Sequence, residues 1–122
     1  MIRGLRGAIT IHSDNQKLVL EETAKLALAV AEANNIQPED IASVIISTTP
    51  DITSEFPAKS VRSIEGWSFV PIMCMHEMNV EGALPLCIRI LIHANVNIAQ
   101  DKVKHIYLND AVKLRPDLVN AK

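Results

Sequence analysis

The sequence predicts an α/β domain built on a mixed sheet. Short apolar segments rich in isoleucine alternate with amphipathic segments, and turn-forming residues separate the two kinds of segment. A length of 122 residues is also typical of one domain. No stretch has the composition of a linker, so residues 1–122 are predicted to form a single domain.

The first half of the chain predicts two strands and a long helix. "IRGLRGAITI" has β-branched residues in rough alternation and predicts the opening strand. From about Asn15 to Asn34, alanine and leucine alternate with acidic residues and lysine as in an amphipathic helix, and Ser13 with Gln16 fits a capping box. "NNIQPED" ends this helix. The nearly continuous apolar run "IASVIISTT" predicts a strand buried on both faces.

The second half predicts further elements of both kinds. "FPAKSVRSI" suits a short helix with Pro57 in its first turn, "WSFVPIMCM" a strand whose proline lies near an edge, and "VKHIYL" a last strand. Between these two strands, the apolar run around Arg89 predicts a helix. Pro85 would kink that helix or delay its start, because proline breaks a helix interior.

Composition excludes several classes of function. The formal net charge is −2 and there is no basic run, which argues against nucleic-acid binding. The most apolar stretch is interrupted by Arg89 and His93, so a soluble, cytoplasmic protein without a membrane segment is expected. Two cysteines, Cys74 and Cys87, are too few for a disulfide framework, and the four histidines lack metal-ligand spacing. No metal site is expected.

Arginine is favoured where a carboxylate must be bound bidentately, so each of the five arginines is a candidate for a ligand contact. Arg89 stands among apolar residues with hardly any polar face, which favours an ion pair or a ligand contact. Arg3 and Arg6 are three residues apart in a strand and therefore point to opposite faces. Arg6 fits an exposed strand charge equally well, and Arg115 fits a solvated tail.

Three other residues have structural and functional interpretations side by side. Glu77 either caps the third strand in solvent or needs a charged partner. Cys74 fits a small buried hydrophobic residue better than a nucleophile, because no histidine stands at a helpful spacing. Tyr107 fits a core residue with its hydroxyl at the surface.

In order and spacing, the blocks "IRGLRGA", "STTPD", "FPAKSVR", "GWSFVPIMCMHEM", "CIRI", "HIYL" and "LRPDL" resemble the trimeric, mixed α/β class of chorismate mutases, as distinct from the all-helical class. The resemblance covers nearly the whole chain. It implies a mixed sheet with helices on one side and a homotrimer that forms a pseudo-α/β-barrel. It further implies conversion of chorismate to prephenate between subunits, an isomerase step towards phenylalanine and tyrosine that needs no cofactor.

The resemblance also assigns roles. Arg89 would donate to the ether oxygen of chorismate, Glu77 would face the electron-poor ring, and Cys74 would contact the ring hydroxyl. Arg6 and Tyr107 would bind the side-chain carboxylate. Further substrate contacts are implied for a segment of the neighbouring subunit that contains Phe56, Ala58, Lys59 and Arg62. The strand residue Met73 would also contact the substrate, and a tail with Leu114 and Arg115 would cover the site.

Two other functions remain open at this point. An imine or enamine deaminase of similar trimeric fold would activate water near Glu77 and release ammonia. A non-catalytic trimer that binds small dicarboxylates is the other alternative, and its support is Pro85 and Met73, at positions where the family pattern differs.

Overall fold

The structure is a computed structural model in which residues 1–114 are described. Five strands and two α-helices are joined by short loops and 3-10 turns. The strands are β1 (Ile2–Thr10), β2 (Ile41–Thr48), β3 (Ile72–His76), β4 (Cys87–Asn95) and β5 (Ile106–Leu108), and the helices are α1 (Gln16–Ala33) and α2 (Ala58–Arg62). The 3-10 turns cover Pro38–Asp40, Gln100–Lys102 and Asn109–Lys113.

The strands form one mixed sheet in the order β3-β2-β4-β1-β5. The central strand, β4, is antiparallel to both of its neighbours, and the two outer pairings are parallel. β3 lies at an edge, so Pro71, which precedes it, removes no ladder hydrogen bond inside the sheet. The predicted mixed sheet is confirmed.

Both helices pack on the same face of this sheet and share one apolar core with it. In β1, Gly7 belongs to this face, where a Cβ atom would lie 2.8 Å from Val30 Cγ2 and 3.0 Å from Leu26 Cδ1. The absence of a side chain at Gly7 therefore lets α1 approach the sheet closely. On the opposite face a small cluster of Ala8, Cys87 and Ala111 is buried.

Helix α1 confirms the predicted helix, but its cap differs. The side chain of Asn15 accepts a hydrogen bond from the amide of Leu18 at 2.9 Å, and Ser13 accepts one from the Asn15 amide group. The Ser13 and Gln16 capping box is therefore wrong, because the stronger cap lies two residues later. The helix ends as predicted, with Asn35 in the left-handed conformation.

The helix predicted around Arg89 is wrong, since that segment is β4. Its isoleucines alternate with Arg89, Leu91 and His93, so the apolar run follows a period of two and covers one face only. Pro85 lies in the preceding loop, where it breaks nothing. β2 likewise differs from expectation, because its second face, with Ser43, Ile45 and Ser47, is only half-buried in the single chain.

Within residues 1–114, neither helix combines the length and the apolar character that crossing a bilayer requires.

Candidate active site

The helix-free face of the sheet carries several of the side chains that the sequence analysis selected. Arg89 in β4 pairs in register with Ala8 of β1 on one side and with Ser47 of β2 on the other. Tyr107 of β5 pairs with Ala8. Because alternate residues of a strand share a face, Arg6 joins them two residues from Ala8. Three separate strands thus bring Arg6, Arg89 and Tyr107 together.

Glu77 completes this group from the end of β3. Its Oε2 lies 3.2 Å from the Nε of Arg89 and accepts a hydrogen bond from the Ser47 hydroxyl, also at 3.2 Å. The Glu77 amide donates to the Thr48 carbonyl at 2.9 Å, which fixes the backbone beneath the carboxylate. The Glu77 side chain is 18% exposed and that of Arg89 is 46% exposed. The carboxylate is therefore the more enclosed member of a charge-assisted pair.

A cavity of about 460 Å³ opens beside this ion pair. Two guanidinium groups, those of Arg6 and Arg89, face it together with the phenol of Tyr107 and the hydroxyl of Ser47. The remaining lining comes from Gly7, Ala8, Ile45, Ile90, Leu91 and Leu114. Two cations and two hydroxyls in a largely apolar cleft suit a small molecule with two carboxylates.

Other predicted site residues border a second cavity, of about 380 Å³. Phe56, which is 70% exposed, and Cys74 line it together with His76, whose Nε2 lies 2.9 Å from the Ile52 carbonyl. Cys74 pairs in register with Ile46 and packs against the main core. Within one chain, the structure does not bring Cys74 or Phe56 into contact with the group around Arg89.

The rest of the predicted set is divided between these regions. Ala58 is buried in the core, and Lys59 pairs with Glu55 at 3.3 Å. Arg62 ends α2 in solvent, and Met73 stands on β3 with 66% of its surface exposed. Leu114 lines the cavity beside Arg89. Arg115 lies outside the described residues.

Comparison with known proteins identifies the family. The family model for chorismate mutase type I matches residues 2–118. The chain belongs to the type I chorismate mutases. It is 44% identical over 118 residues to the chorismate mutase AroH of Bacillus subtilis, a match that covers 97% of this chain and 93% of that protein. It is 46% identical to the AroH of Thermus thermophilus, with 99% of both chains covered.

A solved structure supports the same assignment. A chorismate mutase from Clostridium thermocellum has a TM-score of 0.86 and 38% identity, covering 88% of this chain and 96% of that one. The resemblance on which the sequence analysis relied is therefore confirmed, together with the fold class and the isomerase activity of a chorismate mutase.

Sequence reasoning missed two features of this candidate site. Ser47 was hidden in a run interpreted as buried on both faces, yet it supports Glu77 directly. The alternation of Ser43, Ile45 and Ser47 could have revealed a half-polar face. Cys87 was considered only as one of two cysteines too few for a disulfide framework, but it lies two residues before Arg89 on the same face. Burial raises the pKa of the Cys87 thiol to about 11, and Arg89 partly opposes this.

No group of three or more histidine, cysteine or acidic residues in the described part of the chain is arranged to hold a metal ion.

Proposed function

We propose that this chain converts chorismate to prephenate as a homotrimer whose active sites lie between neighbouring subunits. The observation that carries the proposal is the Glu77–Arg89 ion pair, placed beside a cavity with a second arginine. An intramolecular Claisen rearrangement needs opposite charges held close together and needs no group that reacts covalently. The pair supplies those charges across β2, which lies between β3 and β4 in the sheet.

The chemistry of the rearrangement assigns the two charges. The ether C–O bond of chorismate breaks ahead of C–C bond formation, so negative charge develops on the oxygen and positive charge on the ring. Arg89 stabilises the oxygen and Glu77 stabilises the ring. A preorganised donor aimed at a developing oxyanion contributes about 3 to 4 kcal/mol.

Arg6 and Tyr107 bind the side-chain carboxylate of chorismate. Both line the cavity beside Arg89. The ion pair between Arg89 and Glu77 uses Nε, so the donors on the two terminal nitrogens of the guanidinium lie outside that contact and can reach a second carboxylate. Holding both carboxylates fixes chorismate in its reactive conformation, which restricts a flexible molecule.

The remaining residues act from the neighbouring subunit and from the tail. In one chain, Phe56, Lys59 and Arg62 lie outside the Arg89 cavity, and Phe56 presents an apolar ring to water. A second copy docked on the exposed face of the sheet would cover such apolar side chains and bring its own charged segment to the cavity. The contacts of Ala58, Cys74, Met73, Leu114 and Arg115 with chorismate, and the cytoplasmic location, remain predictions.

The two alternatives fit the structure less well. The argument for a non-catalytic dicarboxylate-binding trimer relied on Pro85 and Met73; Pro85 was expected to distort a helix, and it precedes a strand instead. An imine or enamine deaminase would require Glu77 to activate water, whereas the Glu77 carboxylate is engaged by Arg89 and Ser47.

Chorismate turnover tests the proposal directly. Purified protein is expected to consume chorismate with saturable kinetics, and acid treatment of the product should yield phenylpyruvate. Because no proton is transferred in the rearrangement, kcat should change little between about pH 6 and 8. Release of ammonia, a sharply bell-shaped kcat profile, or binding without turnover would each contradict the proposal.

A further inference from the structure

The segment that leads into β4 is held by side chains from the end of β2. We propose that Asp51 and Thr49 are positioning residues that hold the Arg89 guanidinium in place relative to the Glu77 carboxylate for the reaction. This inference rests on the proposed function, because it concerns the same site. Neither residue lines the Arg89 cavity, so both would act through the backbone of β4.

Three hydrogen bonds of 3.0 Å connect the two segments, and a further one joins Thr49 to Asp51 within the first segment. The Thr49 hydroxyl donates to Asp51 Oδ1 at 2.5 Å and accepts from the Cys87 amide at 3.0 Å. The other oxygen of Asp51, Oδ2, accepts from the Leu86 amide at 3.0 Å. The Thr49 amide in turn donates to the Cys87 carbonyl at 3.0 Å. Two consecutive peptide groups at the start of β4 are thereby fixed by one threonine and one aspartate.

The backbone at this position requires such support. Leu86 has φ +49°, a left-handed conformation that side chains with a Cβ atom rarely adopt. Strained residues of this kind persist only where their surroundings impose them. The Leu86 amide donates to Asp51 Oδ2 and the Leu86 carbonyl accepts from the Ile11 amide, and these two hydrogen bonds impose the conformation here. The bend at Leu86 turns the chain from the loop that follows Glu77 into the strand that carries Arg89.

Thr48, at the end of β2, and Thr49, directly after it, therefore determine the position of both charged groups, Glu77 and Arg89. The Thr48 carbonyl holds the Glu77 amide, and the next residue, Thr49, holds Cys87. Cys87 is fully buried and lies two residues before Arg89 on the same strand face. A shift of the start of β4 would move the Arg89 guanidinium relative to the Glu77 carboxylate, with little damage to the fold, because β4 also pairs along its length with β1 and β2.

The experiment compares kinetics with stability in matched variants. Asp51→Ala removes both acceptor oxygens and Asp51→Asn removes the charge. Thr49→Val removes the hydroxyl, whereas Thr49→Ser keeps it. Asp40→Ala is the control, because Asp40 also accepts a backbone amide, that of Gln37 at 3.0 Å, but at the opposite end of β2. Melting temperature, kcat and KM are measured for each full-length protein well below its melting transition.

For Asp51→Ala and Thr49→Val we expect kcat to fall about 10- to 100-fold with KM within about threefold, the loss expected of a displaced group that acts in the transition state. The kcat of Asp51→Asn should lie between that of these variants and that of the parent, and Thr49→Ser should keep kcat near the parental value. Asp40→Ala should lower the melting temperature without changing kcat.

The outcomes separate the two proposals. If the parent converts chorismate and Asp51→Ala lowers only the melting temperature, Asp51 is structural and the positioning role is overturned. An increase in KM with kcat unchanged would overturn it as well, because that result indicates ground-state binding. A folded parent without any turnover would overturn the proposed function itself.

Discussion

Arg89, near the start of β4, and Glu77, just after β3, come into contact across β2, which separates these two strands in the sheet. The sequence analysis selected both residues, because a charge in apolar surroundings needs a partner. It did not place them on one face, since Arg89 was expected on a helix. It also did not identify Ser47, whose hydroxyl matters only once the register that sets Ser47 beside Arg89 is known. At the residue scale, chemistry was predictable and geometry was not.

Substitution of Arg89 should affect activity far more than folding. Arg89→Ala is expected to lower kcat/KM by roughly 100- to 1,000-fold or more, because a donor to the developing oxyanion is lost. Steady-state kinetics with chorismate, together with circular dichroism, would measure both effects. Arg3→Ala is a suitable control, since Arg3 donates to the Ile98 carbonyl at 2.9 Å and belongs to the opposite face of β1. Near-parental turnover by Arg89→Ala would contradict the assigned role.

The Cys87 thiol should make the fold sensitive to alkaline pH. Its pKa is raised from 9.0 to about 11 by burial, so the unfolded chain loses this proton first as the pH rises. The contribution is fully present below pH 9 and is lost as the pH rises towards 11. The free energy of unfolding should fall by roughly 2 to 3 kcal/mol across that window on this account.

Urea unfolding between pH 8 and pH 11 of the parent and of Cys87→Ala would measure this dependence, and the difference between the two proteins isolates the thiol from lysine and tyrosine titration. Parallel stability curves for the two proteins would show that Cys87 contributes nothing to the pH dependence.

Among the elements, α1, α2 and most strands were predictable from local patterns, because turn residues and caps mark their ends. β4 was not. Six of its nine residues are apolar, and a short apolar run does not reveal its period without knowledge of its neighbours. The pairing with β1 and β2 decides the matter, and pairing is a property of the tertiary fold.

The packing of α1 on β1 depends on the missing side chain of Gly7. Gly7→Ala should lower the free energy of unfolding by about 1 to 3 kcal/mol, because the added methyl group would press on stiff Val30 and on Leu26. Gly4→Ala is the matched control in the same strand, where the nearest atom, Leu91 Cδ1, would be an ordinary 3.5 Å from the new Cβ. Equal stability of the two variants in urea unfolding would contradict this account of the interface.

At the scale of the whole molecule, candidate site residues of one chain are divided between two cavities. The cavity beside Arg89 has the cations for a dicarboxylate, whereas Phe56 and Cys74 line a separate cavity. Arg89 and Glu77 were selected from their apolar surroundings, whereas the roles of Phe56 and Cys74 came only from the family resemblance, since composition and periodicity carry no information about which surfaces meet between copies.

Mixing of variant subunits would show whether neighbouring copies share a site. Arg89→Ala and Arg62→Ala proteins, each impaired alone, should regain activity when they are unfolded and refolded together in equal amounts, because about a quarter of the sites in a random cyclic trimer would receive both intact arginines. Arg89→Ala mixed with Glu77→Ala should regain none, since these two residues contact each other within one chain. Failure of the first mixture to gain activity would contradict a site shared between subunits.

The sheet order has a consequence for how the chain folds. β1 is made first, yet its two partners, β4 and β5, are made last, and the hydrogen bond between the Arg6 amide and His105 spans 99 residues. Such long-range pairing closes large loops before it gains contacts, which slows folding. During synthesis, both edges of β1 therefore stay unpaired until most of the chain has been made. In this interval the chain is most prone to aggregation through unpaired strand edges.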